Sequence, residues 1–172
     1  HDPQRSAARL RQTPLDALAD ALDALVLLTG DYPTALAVVT ERIDEILLSR
    51  RHLLVYAGVV LASAGDRRCR ELLEAAAVVA RRPGDRFMAL HRLAAAEVKR
   101  FHEPQEVLRL LALIESDIDD SLRGGAWTAG DARAMRAVVA NLRALALLRS
   151  GAQSAARDEM RRAVDLHTID GL

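Results

Sequence analysis

Cysteine is nearly missing from this chain of 172 residues, and aromatic residues make up only 3% of it. Because Cys69 is the single cysteine, no disulfide can form within the chain, which is typical of a reducing compartment; we expect the cytoplasm. Strands favour β-branched and aromatic side chains, and no long stretch alternates apolar with polar residues. The sequence therefore argues against a disulfide-stabilised protein and against a β-sheet.

Net charge and long apolar segments are missing as well. The 24 basic residues balance 24 acidic ones, so the chain lacks the positive excess that neutralises phosphates in nucleic-acid complexes. An apolar run such as Leu53–Ala64 is too short for a bilayer, and no signal peptide is visible. We therefore predict no direct nucleic-acid binding by this segment and no membrane partner.

Alanine and leucine carry most of the apolar content, which is 51% of the chain. Both residues favour helices, and the apolar positions recur at helical spacing, as in Leu15, Leu18 and Leu22. The sequence therefore predicts an all-α fold.

Glycines punctuate the helical runs at a regular interval. Gly30 and Gly65 lie 35 residues apart, Phe101 occupies a similar junction 36 residues later, and Gly151 marks a fourth. A period of about 34 residues is typical of arrays of helical hairpins. We predict about eight helices in four antiparallel hairpins, stacked as a short right-handed solenoid; the alternative is an irregular all-α bundle.

Start and stop signals place these helices along the chain. Thr13 is the predicted N-cap of the first helix, and the sequence 128–131 (Thr-Ala-Gly-Asp) resembles a capping box before the seventh. The predicted helices cover approximately residues 14–29, 32–49, 52–64, 67–80, 85–100, 103–122, 131–150 and 152–166, with Arg50 and Arg51 as a bridge between the second and the third. Residues 1–12 lack periodicity and are expected to form an N-terminal tail or an extension of the first helical turn. Residues 13–172 would then be a single domain with an irregular loop at 122–130.

These junctions resemble those of the tetratricopeptide repeat family. The residues that carry the resemblance are Leu22, Gly30-Asp31-Tyr32, Ala35, Gly58, Gly65-Asp66, Leu93, Ala94, Ala144, Gly151, Ala156 and Ala163. The family's helix-A tryptophan and terminal proline are missing, and Arg70 stands at an alanine site. Degenerate repeats of this kind are similar to those in sensor domains of bacterial multidomain transcription regulators.

The resemblance implies a binding groove, because the first helix of each hairpin usually lines the concave face in that family. Carried onto this sequence, the groove positions are His52, Val55, Met88, His91, Lys99, Asn141, Leu145 and Arg149. Polar groups spaced among apolar ones suit a peptide or a small ligand.

Other interpretations of these positions remain open. His52 and His91 are also compatible with ordinary surface or interior histidines, and Lys99 and Arg149 with cations at helix C-termini, where the helix dipole favours them. Asn141 interrupts an apolar helix, and we expect a buried amide there, which needs hydrogen-bond partners.

The remaining polar features give little support to catalysis or to metal binding. The acidic run Glu115–Asp120 lacks the spacing of a calcium loop and is interpreted as a solvated or arginine-pairing helix face. No histidine pair has zinc-site spacing, and no glycine-rich phosphate loop follows a strand. Trp127, beside two glycines, is expected to fix the last hairpin, with a partner contact as the alternative. We predict no cofactor, no metal site and no catalytic residue.

The sequence thus predicts a non-enzymatic regulatory module that binds a protein or peptide segment, or a small-molecule ligand. Because the chain begins with His1 rather than Met, we expect a fragment of a larger protein. The resemblance implies that this larger protein is a bacterial transcription regulator. The alternatives are a self-association module, in which a terminal hairpin forms a homodimer, and a small helical enzyme.

Overall fold

The computed structural model describes residues 3–49 and 51–168, and these contain helices and no strand. The helices are α1 (Pro3–Gln12), α2 (Leu15–Thr29), α3 (Tyr32–Glu41), α4 (Ile43–Leu47), α5 (Arg51–Ser63), α6 (Cys69–Val79), α7 (Pro83–Ala96), α8 (Pro104–Arg123), α9 (Ala129–Arg149) and α10 (Gln153–His167). A π-helical turn, Glu97–Phe101, continues α7. The predicted all-α class is confirmed; the right-handed solenoid stays a prediction.

The chain divides into two compact units, His1–Ala80 and Arg81–Leu172. The sequence predicts a single domain that starts at residue 13, whereas the first unit also takes in α1. The two additional helices come from α1 and from a division of the second predicted helix. Each unit is described by itself below.

The turn between α2 and α3 lies at Gly30, as the sequence predicts. Gly30 adopts a left-handed conformation (φ 66°), and its N–H donates to the Val26 carbonyl at the end of α2. The Asp31 side chain then accepts a hydrogen bond of 3.1 Å from the Thr34 N–H, which caps α3. These are local capping interactions, and their residue types predict them.

The expected N-terminal tail is wrong, because residues 3–12 form α1. Leu10 anchors this helix with only 6% of its surface exposed. Thr13 is not the N-cap of α2 either, since Pro14 holds that position without a side-chain bond. The Thr13 hydroxyl instead donates to the Arg9 carbonyl at 3.0 Å, satisfying a group left open at the end of α1.

The second predicted helix divides at Arg42, whose backbone leaves the helical region (φ −110°, ψ 18°). Its guanidinium Nη1 donates to the Thr13 carbonyl at 2.6 Å and to the Leu10 carbonyl at 3.3 Å. Arg42 therefore ties the α3–α4 junction to the end of α1.

The core of the first unit centres on α5, which packs against α2, α3, α4 and α6. This agrees with its nearly uniform apolar sequence, which predicts burial on several sides. Gly58 lies against Leu73 of α6: a Cβ atom at Gly58 would stand 2.7 Å from the Leu73 Cγ. The glycine therefore sets how closely α5 and α6 approach.

In the second unit, α9 packs against both α8 and α10. The predicted capping box is confirmed: Thr128 Oγ1 accepts from the Asp131 N–H, and the Asp131 carboxylate accepts from the Thr128 N–H. Buried alanines such as Ala144 on α9 and Ala156 on α10 face the packed side of the hairpin. Small side chains at these positions allow the two helices to approach.

The junction after α7 is irregular. The Glu97 carbonyl accepts hydrogen bonds from the N–H groups of His102 and Glu103. His102 takes the left-handed conformation (φ 58°) that glycine holds at the other repeat junctions. At this junction the sequence has Phe101-His102 in place of Gly-Asp. The helix thus ends in a wide turn around Lys99.

The acidic run on α8 pairs with arginines. The pairs are Glu115–Arg143, Asp117–Arg86, Asp119–Arg136 and Asp120–Arg123. This confirms the arginine-pairing interpretation of the run. The pairs with Arg86, Arg136 and Arg143 fasten α8 to α7 and α9.

Candidate functional site

Helices α7, α9 and α10, with the π turn, border an open pocket of about 270 Å³ in the second unit. Its lining residues are His91, Arg92, Ala95, Lys99, Val138, Asn141, Leu142, Ala144, Leu145, Leu148 and Met160. Polar groups come from α7, the π turn and Asn141, while α9 and α10 supply most of the apolar surface.

Four of the eight predicted groove residues meet in this pocket. They are His91, Lys99, Asn141 and Leu145. Residues four apart share a face of an α-helix, which places Asn141 and Leu145 side by side on α9. His91 and Lys99 lie eight residues apart and reach the same pocket across the start of the π turn.

The expectation that Asn141 is a buried amide is wrong. Its side chain is exposed at the pocket, whereas the following Leu142, which also lines the pocket, is only 6% exposed. The apolar stripe of α9 follows buried positions such as Ala137, Ala140 and Ala144. Asn141 lies at the border of this stripe, so its amide faces the pocket and solvent.

Two further predicted residues of the second unit lie outside the pocket lining. Met88 is 40% exposed on α7 and is not among the lining residues. The Arg149 guanidinium, in the last turn of α9, donates to Nδ1 of His102. Arg149 therefore links the end of α9 to the turn that ends the π helix.

The other two predicted residues, His52 and Val55, belong to the first unit. His52 is exposed, and its Nε2 lies 3.8 Å from Asp20 Oδ1. One turn further along α5, burial and a hydrogen bond to Asp23 raise the pKa of Tyr56 above its ordinary value.

The pocket is electropositive. No ion-pair partner for Arg92 or Lys99 occurs among residues 3–49 and 51–168, and no carboxylate belongs to the lining. Burial lowers the pKa of His91 below 6.5, and the charges of Arg92 and Lys99 lower it further. This shift favours the neutral imidazole, which has one N–H donor and one acceptor.

Aromatic contacts hold His91 in place. Its ring stacks on Phe87 with the centroids 5.8 Å apart, and Phe87 meets Trp127 edge to face at 6.0 Å. Trp127, expected to fix the last hairpin, thus connects the loop before α9 to α7. Its indole contacts Phe87, the ring on which His91 stacks.

Seven of the eleven lining residues are not predicted from the sequence, among them Arg92, Leu148 and Met160. Arg92 precedes Lys99 by seven residues, a spacing that places both on one side of a helix and could have indicated it. Met160 lies on α10 and reaches the pocket only through the pairing of α9 with α10. Leu148 and Met160 leave 53% and 56% of their surfaces exposed at the pocket.

Metal ligands do not cluster in the described part of the chain: no group of three histidine, cysteine or carboxylate side chains could hold an ion there. None of the described helices has both the length and the apolar character that a bilayer crossing requires. Comparison with known proteins gives no family, since the chain matches no protein-family model, no curated protein and no solved structure.

Proposed function

We propose that this chain is a non-enzymatic binding module that takes a small ligand or a short peptide segment into the pocket of its second unit. The observation that carries the proposal is the pocket itself, in which four residues selected from the sequence pattern meet. Apolar surface there supplies affinity, and a few polar groups set the orientation of the ligand.

The size of the pocket favours a compact occupant. Its volume of about 270 Å³ lies just below the range of roughly 300–1,000 Å³ that is typical of drug-sized ligands. A metabolite or one or two peptide side chains would fill it. This suits a sensor, and we propose that the module regulates a larger cytoplasmic bacterial protein that controls transcription.

The chemistry of the lining supports binding rather than catalysis. Catalytic histidines are usually oriented by a third group, commonly a carboxylate, beside a nucleophile. His91 has instead an aromatic neighbour, Phe87, and two cations. Within the described lining, no carboxylate is placed to orient it.

The test is a screen of the chain against a library of small molecules and tripeptides by ¹⁵N NMR. We expect the amide signals of His91, Asn141 and Leu145 to shift, while those of His52 and Val55 stay unchanged. Ligands that shift only signals outside the pocket would contradict the proposal.

A pocket-filling variant sharpens the screen. Ala95 lines the pocket, so Ala95→Leu should abolish the shifts by occupying its volume. Ala112 is exposed on α8, and Ala112→Leu makes the same change away from the pocket. Equal binding by both variants would contradict the assignment of the pocket.

Self-association is the second candidate, because the terminal hairpin exposes apolar side chains. Val164 on α10 is 63% exposed and does not line the pocket. If this face pairs with a second copy, sedimentation should reveal a concentration-dependent dimer that Val164→Glu weakens. A monomer at all concentrations would exclude this candidate.

A further inference from the structure

We infer that the pocket of the second unit binds a small organic anion, in which a carboxylate or phosphate monoester group is carried on an aliphatic or aromatic body. The inference rests on the proposed function and adds to it the chemical class of the ligand. The acid group would lie beside His91, between Arg92 and Lys99, and the apolar body would cover Leu148 and Met160.

The charge of the pocket lining favours an anionic ligand. The chain as a whole is neutral, and in the second unit ion pairs satisfy many of the arginines. The paired arginines include Arg86, Arg109, Arg123, Arg136, Arg143, Arg161 and Arg162. Arg92 and Lys99 lack such a partner within the described chain, and both reach the same pocket. An anion in the pocket would give both cations a counter-charge.

Both cations act on the same side chain, His91. Besides burial, the charges of both Arg92 and Lys99 lower the pKa of His91, so both fields reach its imidazole. An anionic group beside this ring would be attracted by both cations. The neutral imidazole and the Asn141 amide add N–H donors that an acid oxygen accepts.

The apolar surface of the pocket favours an organic anion over an inorganic one. Leu148 and Met160 are more than half exposed at the pocket, and Leu145 is partly exposed beside them. Covering these side chains removes apolar area from water, which is favourable. An inorganic ion would leave them exposed.

The experiment compares ligands of similar shape and different charge. The probes are 3-phenylpropionate, phenyl phosphate, uncharged 3-phenylpropanamide and inorganic phosphate, each titrated into the chain and followed by ¹⁵N NMR. We expect at least one of the two organic acids to bind about tenfold more tightly than the amide and than inorganic phosphate. The tighter of the two acids identifies the acid group.

Variants test the two cations separately. Lys99→Gln and Arg92→Gln should each weaken binding of the acid about fivefold and leave binding of the amide unchanged, whereas Lys99→Arg should retain affinity. Arg100→Gln is the matched control, since Arg100 is exposed next to Lys99 and does not line the pocket. Circular dichroism checks that each variant is folded. We expect all of them to fold, because both lining cations are exposed.

Several outcomes would overturn the inference. If the amide binds as tightly as the acids, or if neither glutamine variant weakens the acids, the ligand is not recognised as an anion. The proposed function would survive that result, because pocket binding would persist and Ala95→Leu would still abolish it. An N-acetylated dipeptide ending in phenylalanine that binds tenfold more tightly than the free acids would overturn the assignment to a small molecule.

Discussion

The contact between α5 and α6 makes Gly58→Ala a demanding test of the packing. A Cβ atom at this position would lie 2.7 Å from Cγ and 2.9 Å from Cδ2 of Leu73. Leu73 has no exposed surface, so its side chain cannot turn into solvent to make room. The added methyl group must therefore move α6 or force Leu73 out of its rotamer.

Two opposing effects set the magnitude. Alanine is a better helix former than glycine by about 1 kcal/mol in a helix interior. Overpacking a well-filled core costs typically about 1–3 kcal/mol. The clash should exceed the propensity gain, and we expect Gly58→Ala to lower the free energy of unfolding by about 1 kcal/mol.

Urea unfolding followed by circular dichroism measures this change. Gly84→Ala is the control: a Cβ at Gly84 meets nothing within 4 Å, so no clash offsets the propensity gain. In a double-mutant cycle, Leu73→Ala should make Gly58→Ala harmless or favourable, because the shortened side chain leaves room. If Gly58→Ala alone matches or exceeds the stability of the original chain, the close contact of α5 and α6 is refuted.

Three further predictions concern the second unit. Thr128→Ala removes the capping box and should lower thermal stability by about 1 kcal/mol; an unchanged melting temperature would contradict this. The pKa of His91 is lowered in the folded chain, so the unfolded state binds more protons, and stability should fall as pH drops below 6.5; His91→Gln should flatten this part of the pH profile, and an identical profile would contradict it. Arg143 is 18% exposed and pairs with Glu115 and Glu159, so Arg143→Met leaves Arg162 as the one cation of the described residues in contact with both carboxylates and should cost about 2 kcal/mol. The control is Arg123→Met, at an exposed pair that contributes about 0–1 kcal/mol; equal losses in urea unfolding would contradict the reasoning.

Local signals in the sequence predict local structure well. The left-handed Gly30, the cap at Asp31 and the capping box at Thr128 all depend on residues within four positions of one another. The division at Arg42 depends on carbonyls about thirty residues away, and helical periodicity carries no information about such contacts. The same contact involves the end of α1, which the sequence pattern presents as a tail.

For the pocket too, local spacing can be predicted from the sequence and contacts between helices cannot. Asn141 and Leu145 can be placed together from their spacing on one helix. The contribution of Met160 depends on how α10 pairs with α9, and the sequence shows only that both are helices. The exposure of Asn141 depends on which edge of α9 is covered, a property of packing rather than of residue type.

The π turn after α7 carries an evolutionary consequence. In a regular α-helix each residue advances about 100°, so Lys99 would lie about 80° around the axis from His91. The wider turn advances less per residue and brings Lys99 closer to the side of His91. Deleting Arg100 would restore regular winding and rotate the ammonium group away. Gain or loss of one residue here would thus reposition Lys99 relative to His91 in a descendant of this chain, without replacing any residue of the pocket lining.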